Sequence, residues 1–290
     1  MTRIISGLGE VVADYDGLLL DLWGTLHDGV RPLPGAVDGM AALHRAGKRL
    51  IILSNGPRRA DAVAARTQEI GFDPEHCDHT LSSGEMAWRA IRDGVDADHA
   101  ELGRRCLHMG PPRDAGMLQG LDLDVVPSVN DATFILNTGL AAESETVADH
   151  EPLLGAGATR GLPMVCANPD LEVIRDGVRE PCAGALAARY EELGGRVLYH
   201  GKPHRPIYQA CLALLDGMAA GRVLAVGDSL RTDIAGGAAI GADTLLIAGG
   251  IHAGTLGLES AGGGIDPERL AELARPLGVA PTFAAAAFAW

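Results

Sequence analysis

Short apolar runs recur along the chain, and each ends on small polar or acidic residues. Gly17-Leu18-Leu19-Leu20 runs into Asp21, Lys48 to Leu53 into Ser54-Asn55-Gly56, and Val223-Leu224-Ala225-Val226 into Gly227-Asp228. Runs this short fit strands buried on both faces, as in a parallel sheet. Between them the period changes. Ala36, Val37, Met40 and Leu43 follow helical spacing, and Gly47 predicts the stop. Further helices are expected over roughly 59–70, 181–193 and 206–215, with short strands at 196–199 and 244–247. Strand alternating with helix predicts an α/β fold around a Rossmann-like parallel sheet. Its strand ends carry the polar residues, which is where such sheets place their sites.

The middle of the chain reads differently. Residues 104–109, 133–136 and 163–167 are strand-like, yet none is followed by the recurring strand-end polar signal. An inserted α/β cap over 84–180 is the expected organisation, with 1–83 and 181–290 forming the core domain. The tail, Phe283-Ala-Ala-Ala-Ala-Phe-Ala-Trp290, is expected to dock as a short helix or to fray. Gly155 to Gly161 loosely matches a dinucleotide-binding glycine pattern. It precedes a strand instead of following one, so a cap loop is expected there. His76-Cys77-Asp78-His79 has no distant partner for a metal site and is expected to be structural.

Composition narrows the function classes. A chain of 290 residues has room for two domains, and 47% hydrophobic with 21% charged residues is ordinary for a soluble globular protein. The net charge of −14 argues against nucleic acid as a partner, because the basic footprint is missing. Five scattered cysteines without paired spacing fit reduced thiols. No apolar stretch approaches a membrane span, and the first residues lack the apolar core of a signal peptide, so the expected location is cytoplasmic. Oligomeric state is left open, a homodimer included.

Four polar signals are strung along the chain: Asp21-Leu22-Trp23-Gly24-Thr25-Leu26, Ser54-Asn55, Gly201-Lys202-Pro203, and Gly227-Asp228-Ser229-Leu230-Arg231-Thr232-Asp233. Singly, each is an ordinary cap or turn. Together they supply a carboxylate nucleophile, a hydroxyl and amide for phosphate oxygens, a cation, and an acidic pair suited to a hard metal. Their order resembles the four motifs of the haloacid dehalogenase (HAD) superfamily. Leu81-Ser82-Ser83-Gly84, Cys166-Ala167-Asn168-Pro169-Asp170, and Gly184-Ala185 ahead of Gly201-Lys202-Pro203 further resemble its subclass IIA, which includes para-nitrophenylphosphatase and pyridoxal phosphatase. The likeness spans nearly the whole chain.

The resemblance implies a HAD core with its cap between the second and third motifs, and a hydrolase of a small phosphorylated metabolite. Asp21 would attack phosphorus and form an aspartyl-phosphate that water hydrolyses. Mg²⁺ would sit between the Asp21 carboxylate, the Trp23 backbone carbonyl and Asp228, with Asp233 contributing indirectly. Lys202 would offset the gathered negative charge and help bind phosphate, and Ser54 and Asn55 would hold a phosphoryl oxygen. Asn168-Pro169-Asp170 is expected to be structural, at the junction of core and cap.

Trp23 breaks the pattern. The superfamily's phosphatases carry a second aspartate there, which protonates the leaving oxygen; an indole has no proton to exchange. A substrate with a good leaving group, or a proton from His27, Asp28, His200 or His204, would make up the loss. Haloacid dehalogenases carry an aromatic at this position, so dehalogenase or phosphonatase-type hydrolysis is an alternative, as is a weak phosphometabolite-binding protein. Asp228 favours the phosphatase, since dehalogenases typically lack that acid.

Overall fold

A computed structural model of the chain describes residues 2–142, 144–175, 178–258 and 264–290. In chain order its strands are β1 (Arg3–Ile4), β2 (Gly17–Leu20), β3 (Arg49–Ser54), β4 (His79–Ser82), β5 (Arg105–Met109), β6 (Asp124–Val125), β7 (Phe134–Asn137), β8 (Pro163–Cys166), β9 (Glu172–Arg175), β10 (Val178–Pro181), β11 (Arg196–Tyr199), β12 (Val223–Gly227), β13 (Asp243–Ile247) and β14 (Phe283–Ala285). The larger sheet runs β1-β14-β13-β12-β2-β3-β4, every neighbouring pair parallel. Its central strands are continuously apolar because both faces are covered: all four residues of β2 and all five of β12 are buried.

Crossover helices supply the cover. Ala36–Arg45 joins β2 to β3, Ala60–Ile70 joins β3 to β4, and Ala235–Ala239 joins β12 to β13. From β2 the chain proceeds outward through β3 and β4; from β12 it proceeds the other way through β13 and β14. The β2–β12 seam is therefore the point where strand order reverses, and such a crevice accepts ligands. Val226 stands opposite Leu20 there, which brings Asp21 and Asp228 to the same sheet edge.

A second parallel sheet runs β11-β8-β7-β5-β6, and β9 and β10 form an antiparallel hairpin beside it. The second sheet extends past residue 180. Arg196–Tyr199, expected with the core, pairs with Pro163–Cys166 as β11. The helix Ala183–Glu192 comes with it, because its buried Ala183, Leu186, Ala187 and Tyr190 pack with Ile135, Leu154 and Met164 of the second sheet's apolar layer. The Tyr190 hydroxyl donates to the Leu162 carbonyl at 2.7 Å and fixes that docking.

Two local expectations are corrected. The tail forms strand β14, not a helix: Phe283–Ala285 pairs with β1 on one side and β13 on the other. Alanine favours helices, but pairing along two strand edges and the burial of Ala284 and Ala285 outweigh that propensity. Phe288 then closes the core against Gly39. The Gly155–Gly161 stretch is no loop through most of its length, since Glu151–Thr159 is helical and Gly157 lets it approach Ile135 and Tyr190.

Candidate active site

The carboxylate at the end of β2 is held by a tight loop. The Leu26 and His27 N–H groups donate to the Leu22 carbonyl at 2.8 and 3.0 Å, and the Gly24 N–H donates to the His27 carbonyl at 3.0 Å. The loop passes so close to the next acid that a Cβ on Gly24, whose φ is +71°, would lie 1.9 Å from Asp228 Oδ2. Only glycine fits both demands. Asp21 is 7% exposed. Its Oδ1 accepts from Lys202 Nζ at 2.5 Å and its Oδ2 from the Thr25 hydroxyl at 3.2 Å. Thr25 is a contact the motif contained but the sequence reading gave no role.

Lys202 Nζ also donates to Asp233 Oδ1 at 2.7 Å. Asp233 sits on a wide turn, Leu230–Ile234, in which the Ile234 N–H reaches back five residues to the Ser229 carbonyl at 3.2 Å. Such widened turns often mark functional sites. Here the turn aims the Asp233 carboxylate under β12, where Oδ2 accepts from the Ser229 N–H at 3.2 Å. Asp228 Oδ2 accepts from the Ile251 N–H at 2.7 Å. Oxygens of Asp21, Asp228 and Asp233 lie within 4.8 Å of one another, all on buried residues.

This charge gathering is costly out of water. Burial and its facing acids, Asp21 and Asp233, push Asp228 well above the usual carboxylate range. Burial also raises Asp233, with Lys202 opposing and Asp21 adding to it. Against its own burial, Lys202 is held well above the usual ammonium range by Asp21 and Asp233. One lysine faces three acids, and their mutual repulsion is part of what raises Asp228 and Asp233. A hard divalent cation fits this donor set. The Trp23 carbonyl, which accepts no hydrogen bond from the described residues, fits as a further oxygen ligand. Asp233 is already engaged through both oxygens, which suits an indirect role.

Ser54 and Asn55 are both buried at the end of β3 and line the same cavity, about 980 Å³, as Asp21, Lys202 and Asp228. The Ser54 Oγ accepts from the Gly56 N–H at 3.0 Å, which leaves its own hydrogen to give. The Asn55 side chain is spent elsewhere. Its Oδ1 accepts from the Lys202 N–H at 2.8 Å, and its Nδ2 donates to the Lys202 carbonyl at 3.1 Å and to Asp170 Oδ1 at 2.8 Å. Both amide hydrogens are taken, so Asn55 offers a ligand its backbone N–H while its side chain fixes the lysine loop. Nothing in the local sequence signals this, because the partners lie more than a hundred residues away.

Trp23 stands on the cavity wall. Its ring packs edge-on to His27 at 5.3 Å, with the Arg175 guanidinium 5.0 Å over it. His27 is buried, its Nδ1 accepts from the Gly29 N–H at 3.0 Å, and burial lowers its pKa despite Asp21 nearby. His200 meets His99 at 3.0 Å between ring nitrogens and is pushed down to about 3 by burial and the neighbouring His99 and His204. His204 stacks on Tyr199 and is lowered by burial. Against partial burial, the Arg31 and Val30 amides and the Arg31 guanidinium hold Asp28 below the usual range.

The comparisons match this layout. Residues 18–124 match the family model described as haloacid dehalogenase-like hydrolase, and residues 199–283 match one described as HAD-hydrolase-like. The chain is 30% identical to chronophin of Mus musculus over 264 residues, covering 85% of each chain. A haloacid dehalogenase-like hydrolase of Brucella suis 1330 superposes with a TM-score of 0.84 at 32% identity, over 98% of this chain and all of that one. A glycerol phosphate phosphatase of Mycobacterium tuberculosis, solved with magnesium, gives a TM-score of 0.65 at 26% identity, over 90% of this chain and 78% of that one. The motif order, the two parallel sheets and these likenesses agree, and the chain belongs to the haloacid dehalogenase superfamily of hydrolases, subclass IIA.

Proposed function

We propose that the chain is a divalent-metal-dependent phosphatase that hydrolyses a small phosphorylated metabolite through an aspartyl-phosphate on Asp21. The observation that carries this reading is the buried array at the β2–β12 seam: Lys202 Nζ lies 2.5 Å from Asp21 and 2.7 Å from Asp233, with Asp228 in the same cluster. A carboxylate is a weak nucleophile toward an anion unless cations neutralise both. Asp21, the Trp23 carbonyl and Asp228 would hold a Mg²⁺, which would supply neutralising charge for the carboxylate and the phosphate.

The chain's own groups do the rest. Asp21 Oδ1 and Oδ2 are aimed by Lys202 and Thr25, so one carboxylate oxygen is presented with fixed orientation. Lys202, the Ser54 hydroxyl and the Asn55 N–H bind phosphate oxygens, and their contacts tighten as charge moves onto them. The second sheet, with its chain segment running from 84 to Tyr199 and the β9–β10 hairpin, acts as a cap over the cavity and selects the substrate.

The test is turnover of para-nitrophenyl phosphate with Mg²⁺ present. Steady hydrolysis that is abolished by Asp21→Asn and by chelation is the expected result. A folded wild type that binds phosphate esters without hydrolysing them would sink the reading.

A further inference from the structure

Position 23 leaves the reaction without its usual proton donor, and the groups nearest in sequence do not replace it. His27, His200 and His204 are driven toward their neutral forms by burial, and Asp28 is held ionised by the Arg31 and Val30 amides and the Arg31 guanidinium. These shifts make all four poorer proton donors than their ordinary forms. Of the further acidic side chains lining the cavity, Asp114, Glu145, Asp170, Glu172 and Glu180, Asp170 is the one bonded to the residue that holds the lysine loop. Asp170 lies between β8 and the β9–β10 hairpin, and its Oδ1 accepts from Asn55 Nδ2 at 2.8 Å. Asn55 is the residue that clamps the Lys202 backbone, so Asp170 stands one side chain away from the nucleophile's own partner. Its Oδ2 has no partner among the described residues, and no buried side-chain oxygen there is left unsatisfied, so Oδ2 opens to the cavity.

We propose that Asp170 supplies the proton that position 23 cannot, acting as general acid toward the leaving oxygen and then as base toward the incoming water. The assignment rests on the phosphatase reading. The Asp170 proton passes to the ester oxygen as the phosphorus–oxygen bond to the alcohol breaks and the bond to Asp21 forms. The alcohol leaves neutral. The carboxylate left on Asp170 then takes a proton from the water that attacks the aspartyl-phosphate. The Asp21–phosphorus bond breaks, orthophosphate leaves, and Asp170 is protonated again.

The surroundings suit this cycle. Burial drives the Asp170 carboxyl above the usual range and Asp21 adds to it, while Lys202, the Asn55 amide and Arg231 oppose without cancelling the effect. Asp233 and the thiols of Cys166 and Cys182 are the other titratable groups that interact with it. A carboxyl raised by its environment keeps its proton to higher pH than an ordinary one, which suits a general acid. The acid form is the active one, so kcat/KM for a poor leaving group falls as pH rises through the Asp170 pKa.

The experiment compares two esters on the Mg²⁺-loaded full chain: para-nitrophenyl phosphate, whose phenolate needs little protonation, and an alkyl ester, glycerol 2-phosphate. Because kcat/KM reports steps through transfer to Asp21, Asp170→Asn is expected to lower it by about 10²–10⁴-fold for the alkyl ester. The aryl ester should lose less than about tenfold, because general-acid help counts for little with a weakly basic leaving group. The alkaline fall of the alkyl-ester profile should vanish in the variant. A purely structural role would lower both esters alike and leave the pH profile unchanged. Equal losses on both esters, an unchanged alkyl-ester rate, or an alkaline fall that persists in the variant overturns the assignment. A wild type inactive on both esters overturns the phosphatase reading itself, whereas activity with these patterns absent overturns Asp170 alone.

Discussion

Trp23 keeps its indole out of proton chemistry and uses it for packing, against the edge of His27 and on Gly29, where a Cβ would lie 2.1 Å from the ring. Its side chain and its carbonyl thus do separate jobs. If Asp170 has taken over the acid role, restoring an aspartate at 23 should compensate for its loss. The double variant Trp23→Asp/Asp170→Asn is expected to regain alkyl-ester kcat/KM by at least about tenfold over Asp170→Asn alone, general acids contributing 10²–10⁴ when placed well. No regain in a folded double variant counts against the exchange. Losing the ring contacts should cost about 1–3 kcal/mol, readable by urea unfolding. That Asp21, Ser54, Lys202 and Asp228 gather at one cavity was legible in the sequence because each signal is local, a polar residue just after an apolar run or a short loop. Asp170 and the clamp made by Asn55 were not, since their meaning lies in a hydrogen bond between residues 115 apart.

Strand β14 shows what local pattern misses. Its Ala-rich sequence carries no alternation to mark one face as buried, and its helix propensity points the wrong way. The edges of β1 and β13 decide its conformation, and neither is adjacent in sequence. Phe288, fully inside the core just beyond it, anchors the tail. Phe288→Ala should therefore destabilise by about 3–5 kcal/mol in denaturant unfolding, as a buried aromatic does. A loss under about 1 kcal/mol, the range of surface substitutions, would mean the tail is a passive edge. The helix Glu151–Thr159 was hidden for the opposite reason: two glycines disguise a helix that needs one of them, Gly157, to sit close on Ile135 and Tyr190.

The parallel core sheet was readable from the alternation of strands and helices, and the inserted segment from its want of strand-end polar residues. The place where the second sheet ends was not, because β11 looks like any other short apolar run. Among the described residues no helix is long and apolar enough to cross a membrane. The acidic cluster couples the whole fold to the cation it is proposed to bind. Free Mg²⁺ at a hundredfold excess over its Kd should stabilise the protein by about 2.7 kcal/mol and raise Tm by several degrees. Asp228→Asn should abolish that rise, and a wild-type Tm indifferent to Mg²⁺ would refute the metal site.

Lys202 follows β11 by only three residues, and Ser83, at the start of the other crossing, donates its hydroxyl to the His200 carbonyl. The cation facing Asp21 therefore follows the last strand of the second sheet in the chain and is held across to the core sheet by Asn55 and Ser83. In a chimera that took its cap from another parent, a junction at 180 would tear β11 and its helix from their partners. A junction after Tyr199 keeps them, but the lysine is then placed by the donor's last strand meeting the core's Asn55 and Ser83. Exchange of the second sheet and the placing of Lys202 beside Asp21 are linked in this architecture.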